Sequence, residues 1–288
     1  MKKAYFEITN VCNLSCSFCP KTKREKRFVS LSEFVSVAEK LRGKIEYLYL
    51  HLMGEPTIHP QLEEILAAAG DLGFKVIITT NGTTLAQKGE LLIRASAVYK
   101  ISISVHSFEA NGKEREAEMV KYLENCFDFA KMAALAGKIC VFRLWNLDGA
   151  ETVGENDNNP EILAQMRQYF GEDWVDTRSG KRITDKIFLE YGEKFEWPDP
   201  EGGEPIGDED HFCHGLRDQI GILSDGTVVP CCLDSEGTVN LGSLFESTLE
   251  EILSSHSAVA FYDSFTKRRS PHKLCSNCGY SKRFSRRK

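Results

Sequence analysis

Short segments rich in β-branched and aromatic residues alternate with segments of helical periodicity along the first two thirds of this 288-residue chain. The segments that we predict to be strands are Ala4–Thr9, Tyr47–Leu52, Lys75–Thr80, Lys100–Val105, Ile139–Trp145 and Lys186–Tyr191. Helices are predicted between them; Ser30 or Ser32 can cap the first, and the last spans Pro160–Phe170. This alternation favours parallel strands joined by right-handed crossovers, so we expect an α/β fold.

A loop with three cysteines follows the first predicted strand. Cys12, Cys16 and Cys19 lie within eight residues, and thiolates are soft ligands suited to iron–sulfur clusters or zinc. Three clustered cysteines without a fourth close by leave one metal position open, where a substrate or cofactor can bind directly. A partial zinc site and chance clustering are the alternatives.

Polar motifs follow the next three predicted strands. Gly54-Glu55-Pro56 comes after the second strand, and Asn81 comes after the third. Ser104 lies near the end of the fourth strand, with His106 two residues later. In barrels of parallel strands the chemistry sits at the C-terminal ends of the strands. We therefore expect these motifs to lie beside the cysteine loop.

A second group of cysteines lies beyond a segment around Asp199 that is rich in proline, glycine and acidic residues, which we interpret as a linker. Its members are Cys213, Cys231, Cys232, Cys275 and Cys278. A β-hairpin is predicted over Ile220–Pro230, because Asp225-Gly226 is a strong turn signal. Four thiolates brought together by this hairpin and the final CxxC make a closed site for zinc or an iron–sulfur cluster. Cys232 can replace Cys231 as a ligand or remain a free thiol.

These motifs resemble those of two known families. CxxxCxxC from Cys12 to Cys19, with Phe18 before the last cysteine, and the loop Met53–Pro56 resemble the signature of the radical S-adenosylmethionine (SAM) enzymes. Met53 replaces the first glycine of their GGEP motif. The segment GILSDGTVVPCC and the late CxxC resemble the cysteine-rich extension called SPASM, in its shortened twitch form. The resemblance implies a partial (β/α)6 TIM-like barrel over residues 1–198, a linker over 199–212 and a small α+β extension over 213–288.

The resemblance also implies the cofactors, which are SAM and two 4Fe–4S clusters. The ligands that it implies for the first cluster are Cys12, Cys16 and Cys19, and the open iron of that cluster chelates the amino and carboxylate groups of SAM. The ligands that it implies for the second, auxiliary cluster are Cys213, Cys231, Cys275 and Cys278.

The family pattern further implies which residues contact SAM. These are Phe18, Gly54, Glu55, Pro56, Asn81 and Ser104. His106 stands where many relatives have aspartate. The SAM carboxylate needs a cation, and a bidentate guanidinium suits it best. Arg115 and Arg143 are the candidates, and we favour Arg143 because an arginine inside an apolar strand needs a partner.

The implied reaction is reductive cleavage of SAM to a 5′-deoxyadenosyl radical that abstracts a substrate hydrogen atom. The auxiliary cluster would then accept an electron from the substrate radical, which gives a dehydrogenation or a cross-link. A free Cys232 thiol that returns a hydrogen atom gives the redox-neutral alternative, an epimerisation. A metal-binding protein without turnover is the alternative from another class.

The composition indicates the cellular environment in which the protein is expected to work. Ten cysteines spaced as ligands rather than as a disulfide scaffold indicate a reducing, cytoplasmic compartment, and an oxygen-sensitive cluster implies anaerobic conditions. Cys126 and Cys140 are predicted to be small buried hydrophobes. No apolar run is long enough to span a bilayer, and Met1–Lys3 leads directly into a strand. We therefore expect neither a signal peptide nor a leader-peptide-binding domain there.

The substrate is less constrained than the chemistry. A small metabolite or a peptide fits the features above. The basic segment Thr266–Lys288, with nine Lys and Arg residues and no acid, is compatible with RNA. A flavodoxin or ferredoxin is the expected reducing partner.

Overall fold

A computed structural model describes residues 1–109, 116–145, 159–192, 195, 197–202 and 211–284 of the chain. The strands in this part of the chain are β1 (Lys3–Phe6), β2 (Tyr47–Tyr49), β3 (Lys75–Thr80), β4 (Val98–Ser104), β5 (Ile139–Trp145), β6 (Val175–Thr177), β7 (Gly180–Arg182), β8 (Ile187–Gly192), β9 (Gln219–Ile222) and β10 (Val228–Val229). The helices are α1 (Leu31–Leu41), α2 (Leu62–Asp71), α3 (Leu85–Arg94), α4 (His106–Glu109), α5 (Glu116–Leu135), α6 (Asn159–Phe170), α7 (Leu249–Ser254), α8 (His256–Thr266) and α9 (Lys273–Ser276). Short 3₁₀ helices span Pro56–Ile58 and Gly279–Phe284. Among the described residues, no helix combines the length and the apolar character needed to cross a membrane.

Parallel strands form the centre of the sheet. In the described residues, β1, β2, β3, β4, β5 and β8 lie side by side in this order, all parallel. Helices α1, α2, α3, α5 and α6 follow the first five of them along the chain. The predicted alternation of strands and helices is thus confirmed, and the sheet is that of a partial TIM-like barrel.

The first two strands are shorter than predicted. β1 ends at Phe6, and Thr9 instead forms an isolated bridge with Phe28 of the loop that follows the cysteines. β2 ends at Tyr49, because the chain turns there into the loop that carries Gly54. In both cases, the residues that alternate like a strand leave the sheet to build loops at its C-terminal edge.

One hairpin was not predicted from the sequence. β6 and β7 are antiparallel, and β7 pairs with β8, so this hairpin extends one edge of the sheet. Each of these strands has only three residues, and every residue of β6 is exposed. Because these strands are short and exposed to solvent, they lack the alternation of apolar and polar residues from which a strand is predicted.

The C-terminal hairpin, β9 and β10, joins the same sheet at its other edge. β9 is parallel to β1, with Lys3 opposite Gln219 and Phe6 opposite Ile222, and β10 is antiparallel to β9. The cysteine-rich C-terminal part of the chain is therefore hydrogen-bonded to the first barrel strand. Since β10 returns toward Lys3, Cys231 comes near the start of β1, whereas the cysteine loop follows its end.

Helix α1 shows how the strands acquire an outer and an inner face. Ser30 caps the helix in a capping box: its side chain accepts a hydrogen bond from the Glu33 backbone N–H (3.3 Å), and the Glu33 carboxylate accepts one from the Ser30 N–H (2.8 Å). The Phe34 ring is buried on this helix and stacks on Phe6 of β1 at 5.5 Å. Side chains alternate along a strand, so Tyr5 points to the opposite face, toward the barrel interior.

Candidate active site

A cavity of about 1230 Å³ lies at the inner face of the parallel strands. Tyr5 from β1, Ser104 from β4 and Arg143 from β5 line it, together with His51 from the loop after β2. Two groups of cysteines also line it: Cys12, Cys16 and Cys19 from the cysteine loop, and Cys213, Cys231, Cys232, Cys275 and Cys278 from the C-terminal part. None of these thiols is part of a disulfide bond. The structure thus brings both predicted groups to one space.

The cysteine loop directs hydrogen-bond donors at its own sulfur atoms. Cys12 Sγ accepts a hydrogen bond from the Leu14 N–H (3.4 Å) and another from Asn81 Nδ2 (3.9 Å). Burial raises the pKa of Cys12 and of Cys19 above the usual thiol value. The Leu14 and Asn81 donors oppose that effect at Cys12, and a backbone hydrogen bond from Lys21 opposes it at Cys19. Donors that stabilise a thiolate suit a cysteine that binds a soft metal, because the ligand is the deprotonated form.

The loop Met53–Pro56, hereafter the MGEP loop, packs directly against the residues that precede Cys12. The Glu55 N–H donates a hydrogen bond to the Val11 carbonyl oxygen (2.9 Å). Gly54 has a φ of +74°, and a Cβ atom at this position would lie only 2.4 Å from the Thr9 carbonyl oxygen. Glycine is therefore required here both for its backbone conformation and for the close approach of the two loops.

The Glu55 carboxylate joins the MGEP loop to the end of β3. It is 2% exposed, and it accepts hydrogen bonds from the Asn81 N–H (2.7 Å) and from the Thr57 hydroxyl (2.6 Å). Burial raises the pKa of Glu55, and these hydrogen bonds partly offset the increase. Pro56 lies behind Glu55, at the start of the 3₁₀ helix, and is not part of the cavity wall.

Asn81 connects the third strand to the cysteine loop. Its Nδ2 donates a hydrogen bond to Asn13 Oδ1 (2.9 Å), and its Oδ1 accepts one from the Thr83 N–H (3.0 Å). Its backbone oxygen accepts a third from the Tyr122 hydroxyl (2.7 Å). The side chain is therefore held in one orientation beside Cys12.

Arg143 is flanked by two histidines that remain neutral. His106 Nδ1 donates a hydrogen bond to the Arg143 carbonyl oxygen (2.9 Å). Burial, and in second place the nearby Arg143 guanidinium, lowers the pKa of His51 to about 3. Burial also lowers the pKa of His106 to about 3. Positive charge in this part of the cavity is therefore concentrated on Arg143, opposite Ser104 in the β4–β5 register. Arg115, the other predicted cation, lies outside the described residues.

We expect the buried His51 to make the stability of the protein depend on pH. Because its folded-state pKa is depressed, the unfolded chain binds one more proton than the folded one between about pH 3 and 6.5. The free energy of unfolding should fall by about 1.4 kcal/mol per pH unit from this group as the pH drops below 6.5. Denaturant unfolding of metal-free protein between about pH 5 and 7 should show a shallower slope for His51→Phe than for the unaltered chain. Equal slopes would show that His51 titrates normally in the folded state.

Phe18 lies at the boundary between the cysteine loop and the C-terminal part. Its ring is 5.3 Å from that of His106, and its carbonyl oxygen accepts a hydrogen bond from Trp197 Nε1 (3.1 Å). Phe195 packs on both Trp197 and Tyr280. An aromatic wall of Phe18, Trp197, Phe195 and Tyr280 thus runs from the first cysteine group toward the second.

In the C-terminal group, the thiols of Cys231 and Cys232 influence each other and differ in their other contacts. The Cys231 thiol is influenced electrostatically by those of Cys232, Cys213 and Cys275, in this order, and burial raises its pKa well above the usual value. The Cys213 thiol also influences that of Cys232. Cys213 interacts in the same way with Cys278. The Cys232 thiol instead hydrogen-bonds the Tyr5 hydroxyl, and burial raises its pKa to about 11. Among the described residues, no three His, Cys, Asp or Glu side chains are grouped tightly enough for a single metal ion. Four neighbouring cysteines are the donor set of a 4Fe–4S cluster.

Several residues of the cavity wall were not predicted from the sequence, namely Lys3, Tyr5, His51, His214 and Asp218. For two of them, Tyr5 and His51, the alternation of side chains along a strand is a sequence signal. The alternation in YLYLHL places Tyr49 and His51 on one side of the chain, and β1 places Tyr5 on the side opposite Phe6. Residues on the inner faces of the barrel strands could have been listed as wall candidates on that basis alone.

Two family models match the chain. The model of the radical SAM superfamily matches residues 6–150, which is half of the chain and includes the cysteine loop and the MGEP loop. The model of an iron–sulfur cluster-binding domain, SPASM, matches residues 213–279 and includes the C-terminal cysteines.

A curated relative extends over nearly the whole chain. The chain is 24% identical over 300 residues to the antilisterial bacteriocin subtilosin biosynthesis protein AlbA of Bacillus subtilis (strain 168), which covers 96% of this chain and 65% of AlbA. This chain spans less than two thirds of the length of the first curated relatives that it matches.

Solved structures share the fold. BtrN in complex with AdoMet and 2-DOIA has a TM-score of 0.56 and 14% identity, covering 96% of this chain and 92% of BtrN. Streptococcus suis SuiB bound to its precursor peptide SuiA has a TM-score of 0.61 and 16% identity, covering 97% of this chain and 70% of SuiB. With the family match, the cysteine loop and the fold in agreement, the chain belongs to the radical SAM superfamily, with SAM and 4Fe–4S clusters as its cofactors and a SPASM domain toward its C-terminal end.

Proposed function

We propose that this chain uses SAM as a radical source to remove a hydrogen atom from a substrate bound in the cavity, and that Cys12, Cys16 and Cys19 are the ligands of the cluster concerned. The observation that carries this proposal is that both cysteine groups and the MGEP loop line one cavity. When bound, the cluster supplies the electron that cleaves SAM into methionine and a 5′-deoxyadenosyl radical. The protein supplies binding, orientation and exclusion of water.

The residues around the cysteine loop have separate roles in holding SAM. Gly54 carries no side chain, so the MGEP loop packs closely on the segment that leads into Cys12, and its backbone there lines the cavity and would bind the amino group. Arg143 supplies the cation for the carboxylate, since no carboxylate of the described residues forms an ion pair with it. In the strand order, Asn81 and Ser104, at the ends of β3 and β4, lie between the MGEP loop and Arg143. Glu55 orients the MGEP loop against Asn81.

The second cluster has Cys213, Cys231, Cys275 and Cys278 as its ligands in this proposal. Full ligation by four thiolates leaves no iron free for substrate, so electron acceptance from the substrate radical is the role that suits it. The net reaction is then a dehydrogenation or a cross-link. A second outcome is favoured by one observation: the Cys232 thiol lines the cavity and is held by the Tyr5 hydroxyl. Return of a hydrogen atom from this thiol gives an epimerisation and leaves a thiyl radical, which one electron from the flavodoxin or ferredoxin and one proton convert back to the thiol.

A peptide is the substrate class that we propose. AlbA is named for bacteriocin biosynthesis, and SuiB was solved with a precursor peptide. The aromatic wall offers apolar and hydrogen-bonding surface for side chains of a peptide laid across the cavity. The small-molecule alternative is supported by BtrN, which was solved with 2-DOIA. A flavodoxin or ferredoxin supplies the electrons.

Anaerobic reconstitution with iron and sulfide, followed by iron counting and a SAM cleavage assay after reduction, tests the core of the proposal. We expect about eight irons per chain, as two cubanes require, and release of 5′-deoxyadenosine. Bound zinc without SAM cleavage would overturn it. Incubation with a library of short peptides and, in parallel, with polyols then separates the substrate classes by a mass change of the product.

The assignment of Cys231 rather than Cys232 makes a separate prediction. Cys231→Ala should lower the iron content of reconstituted protein from about eight to about four per chain, because the auxiliary cluster loses a ligand. Cys232→Ala should retain about eight, because that thiol is turned toward Tyr5. Iron and sulfide analysis decides between them, with Cys140→Ala as the buried-thiol control. The reverse result would transfer the ligand role to Cys232.

A further inference from the structure

A buried ion pair lies beside the cavity and is not explained by the roles assigned so far. Glu7 follows β1 and is 0% exposed. Both of its carboxylate oxygens accept hydrogen bonds from Nη2 of Arg24, at 2.7 and 2.8 Å. A buried carboxylate is costly unless paired and fully hydrogen-bonded, so a chain that retains one here requires a further explanation.

The remaining hydrogen bonds of this pair go to two other segments. Glu7 accepts one from the Met53 N–H (3.1 Å) and one from the Ser224 N–H (3.1 Å). Arg24 Nε donates to the Ser235 carbonyl oxygen (2.8 Å), and Arg24 Nη1 donates to the Ser224 hydroxyl (3.5 Å). The pair therefore connects β1, the segment after the cysteine loop, the MGEP loop and the C-terminal hairpin region.

Each connected segment carries part of the proposed cofactor machinery. Arg24 is five residues beyond Cys19, and Met53 is the first residue of the MGEP loop. Ser224 lies in the turn of the hairpin that leads to Cys231, and Ser235 follows Cys232 by three residues.

We propose that Glu7 and Arg24 are a positioning pair that fixes the MGEP loop and the auxiliary-cluster hairpin against the segment that follows the cysteine loop, and so sets how the two cluster sites face each other across the cavity. The proposal rests on the proposed function for the identity of the two sites. The geometric part, the immobilisation of the Met53 and Ser224 amides by one carboxylate, does not depend on it. Hydrogen-atom abstraction depends on placement at the ångström scale, which gives such a pair a role beyond stability.

Amide hydrogen exchange on the full-length protein tests the geometric part directly. In Glu7→Gln, the amide retains one acceptor oxygen and presents an N–H group to the other donor. Exchange at Met53 and Ser224 should become about tenfold faster, because a buried amide loses its charged acceptor. Glu33→Gln is the matched control. Glu33 pairs at 2.6 Å with Arg27 of the same loop, but this pair contacts neither amide.

Two further variants separate positioning from stability. Arg24→Lys keeps Glu7 paired with a cation, so the two amides should stay protected while the bond to Ser235 is lost. The double variant Glu7→Leu with Arg24→Met removes both buried charges, and such replacements often retain stability. Its thermal midpoint should stay near that of the unaltered chain, yet Met53 and Ser224 should still exchange about tenfold faster. If the Met53 and Ser224 amides still exchange slowly in the double variant, the pair does not position these segments, and the proposal is overturned.

A spectroscopic titration tests the consequence for the site. In reduced, reconstituted protein, SAM changes the electron paramagnetic resonance signal of the cluster that it binds. Glu7→Gln should require about tenfold more SAM for half of that change, whereas Glu33→Gln should match the unaltered protein. If the unaltered protein shows no SAM response, the proposed function fails while the exchange result stands. If Glu7→Gln needs the same SAM concentration as the unaltered protein for half of the signal change, and amide exchange at Met53 and Ser224 is also unaltered, only the proposal of a positioning pair fails.

Discussion

Replacement of Cys12, Cys16 and Cys19 together by alanine is expected to abolish SAM cleavage and to leave about four of about eight irons per reconstituted chain. The three thiols lie in one loop and have no substitute within it, and Cys12 receives N–H donors from Leu14 and Asn81. Without them, no cluster remains at which SAM can be bound and reduced. Iron and sulfide analysis and chromatography for 5′-deoxyadenosine give both readouts from one sample.

The iron that remains in the triple variant tests the second cluster site in the same experiment. It should report an intact auxiliary site, because Cys213, Cys231, Cys275 and Cys278 belong to segments remote in sequence from the mutated loop. Cys126→Ala with Cys140→Ala is the control, since both thiols are buried in the core and belong to neither group. Loss of all iron from the triple variant would show that the two sites assemble together. Retention of all iron would show that the loop does not bind a cluster.

Gly54→Ala is expected to have the second largest effect. A Cβ atom there would lie 2.4 Å from the Thr9 carbonyl oxygen and 2.8 Å from that of Val11, both backbone atoms that cannot move alone. The MGEP loop must separate from the segment that leads into Cys12. We expect the free energy of unfolding to fall by about 2–4 kcal/mol and the affinity for SAM to fall by at least about tenfold.

Gly43 provides a matched control for this substitution. Its φ of +75° is nearly that of Gly54, but a Cβ atom at Gly43 would meet nothing within 4 Å. Gly43→Ala should therefore cost only the backbone strain of about 1 kcal/mol and should bind SAM normally. The difference between the two variants measures the close approach of the loops. Equal SAM affinities would show that this approach has no part in binding.

The repetitive part of the fold was predictable from the sequence because its determinants are local. The period-2 and period-3.6 patterns located the parallel strands and their helices, and the capping box at Ser30 marks the start of α1 as predicted. The polar motifs meet in one cavity because each follows a parallel strand, and such strands end at the same edge of the sheet.

The features that were not predicted depend on contacts between distant parts of the chain. β9 pairs with β1 across more than two hundred residues, and no local pattern indicates which strand edge receives it. The hydrogen bonds that join Glu7 to Arg24 and Ser224 also connect separate segments of the chain. No local sequence pattern distinguishes these three residues from other polar residues. The separation of Cys231 from Cys232 depends on which thiol meets Tyr5. Burial of His51 and His106 likewise follows only from the packing of distant segments around the partial barrel.

The parallel pairing of β1 with β9 also constrains the order of events during synthesis. β1 is synthesised more than two hundred residues before β9, so its outer edge stays without this partner until residues 219–222 have been made. An unpaired strand edge is a template for association with other chains. During that interval, the nascent protein therefore exposes an unpaired strand edge next to the loop of Cys12, Cys16 and Cys19. When the β9–β10 hairpin pairs with β1, it covers this edge and also brings Cys231 into place. Protection from aggregation and assembly of the second cysteine group therefore occur together.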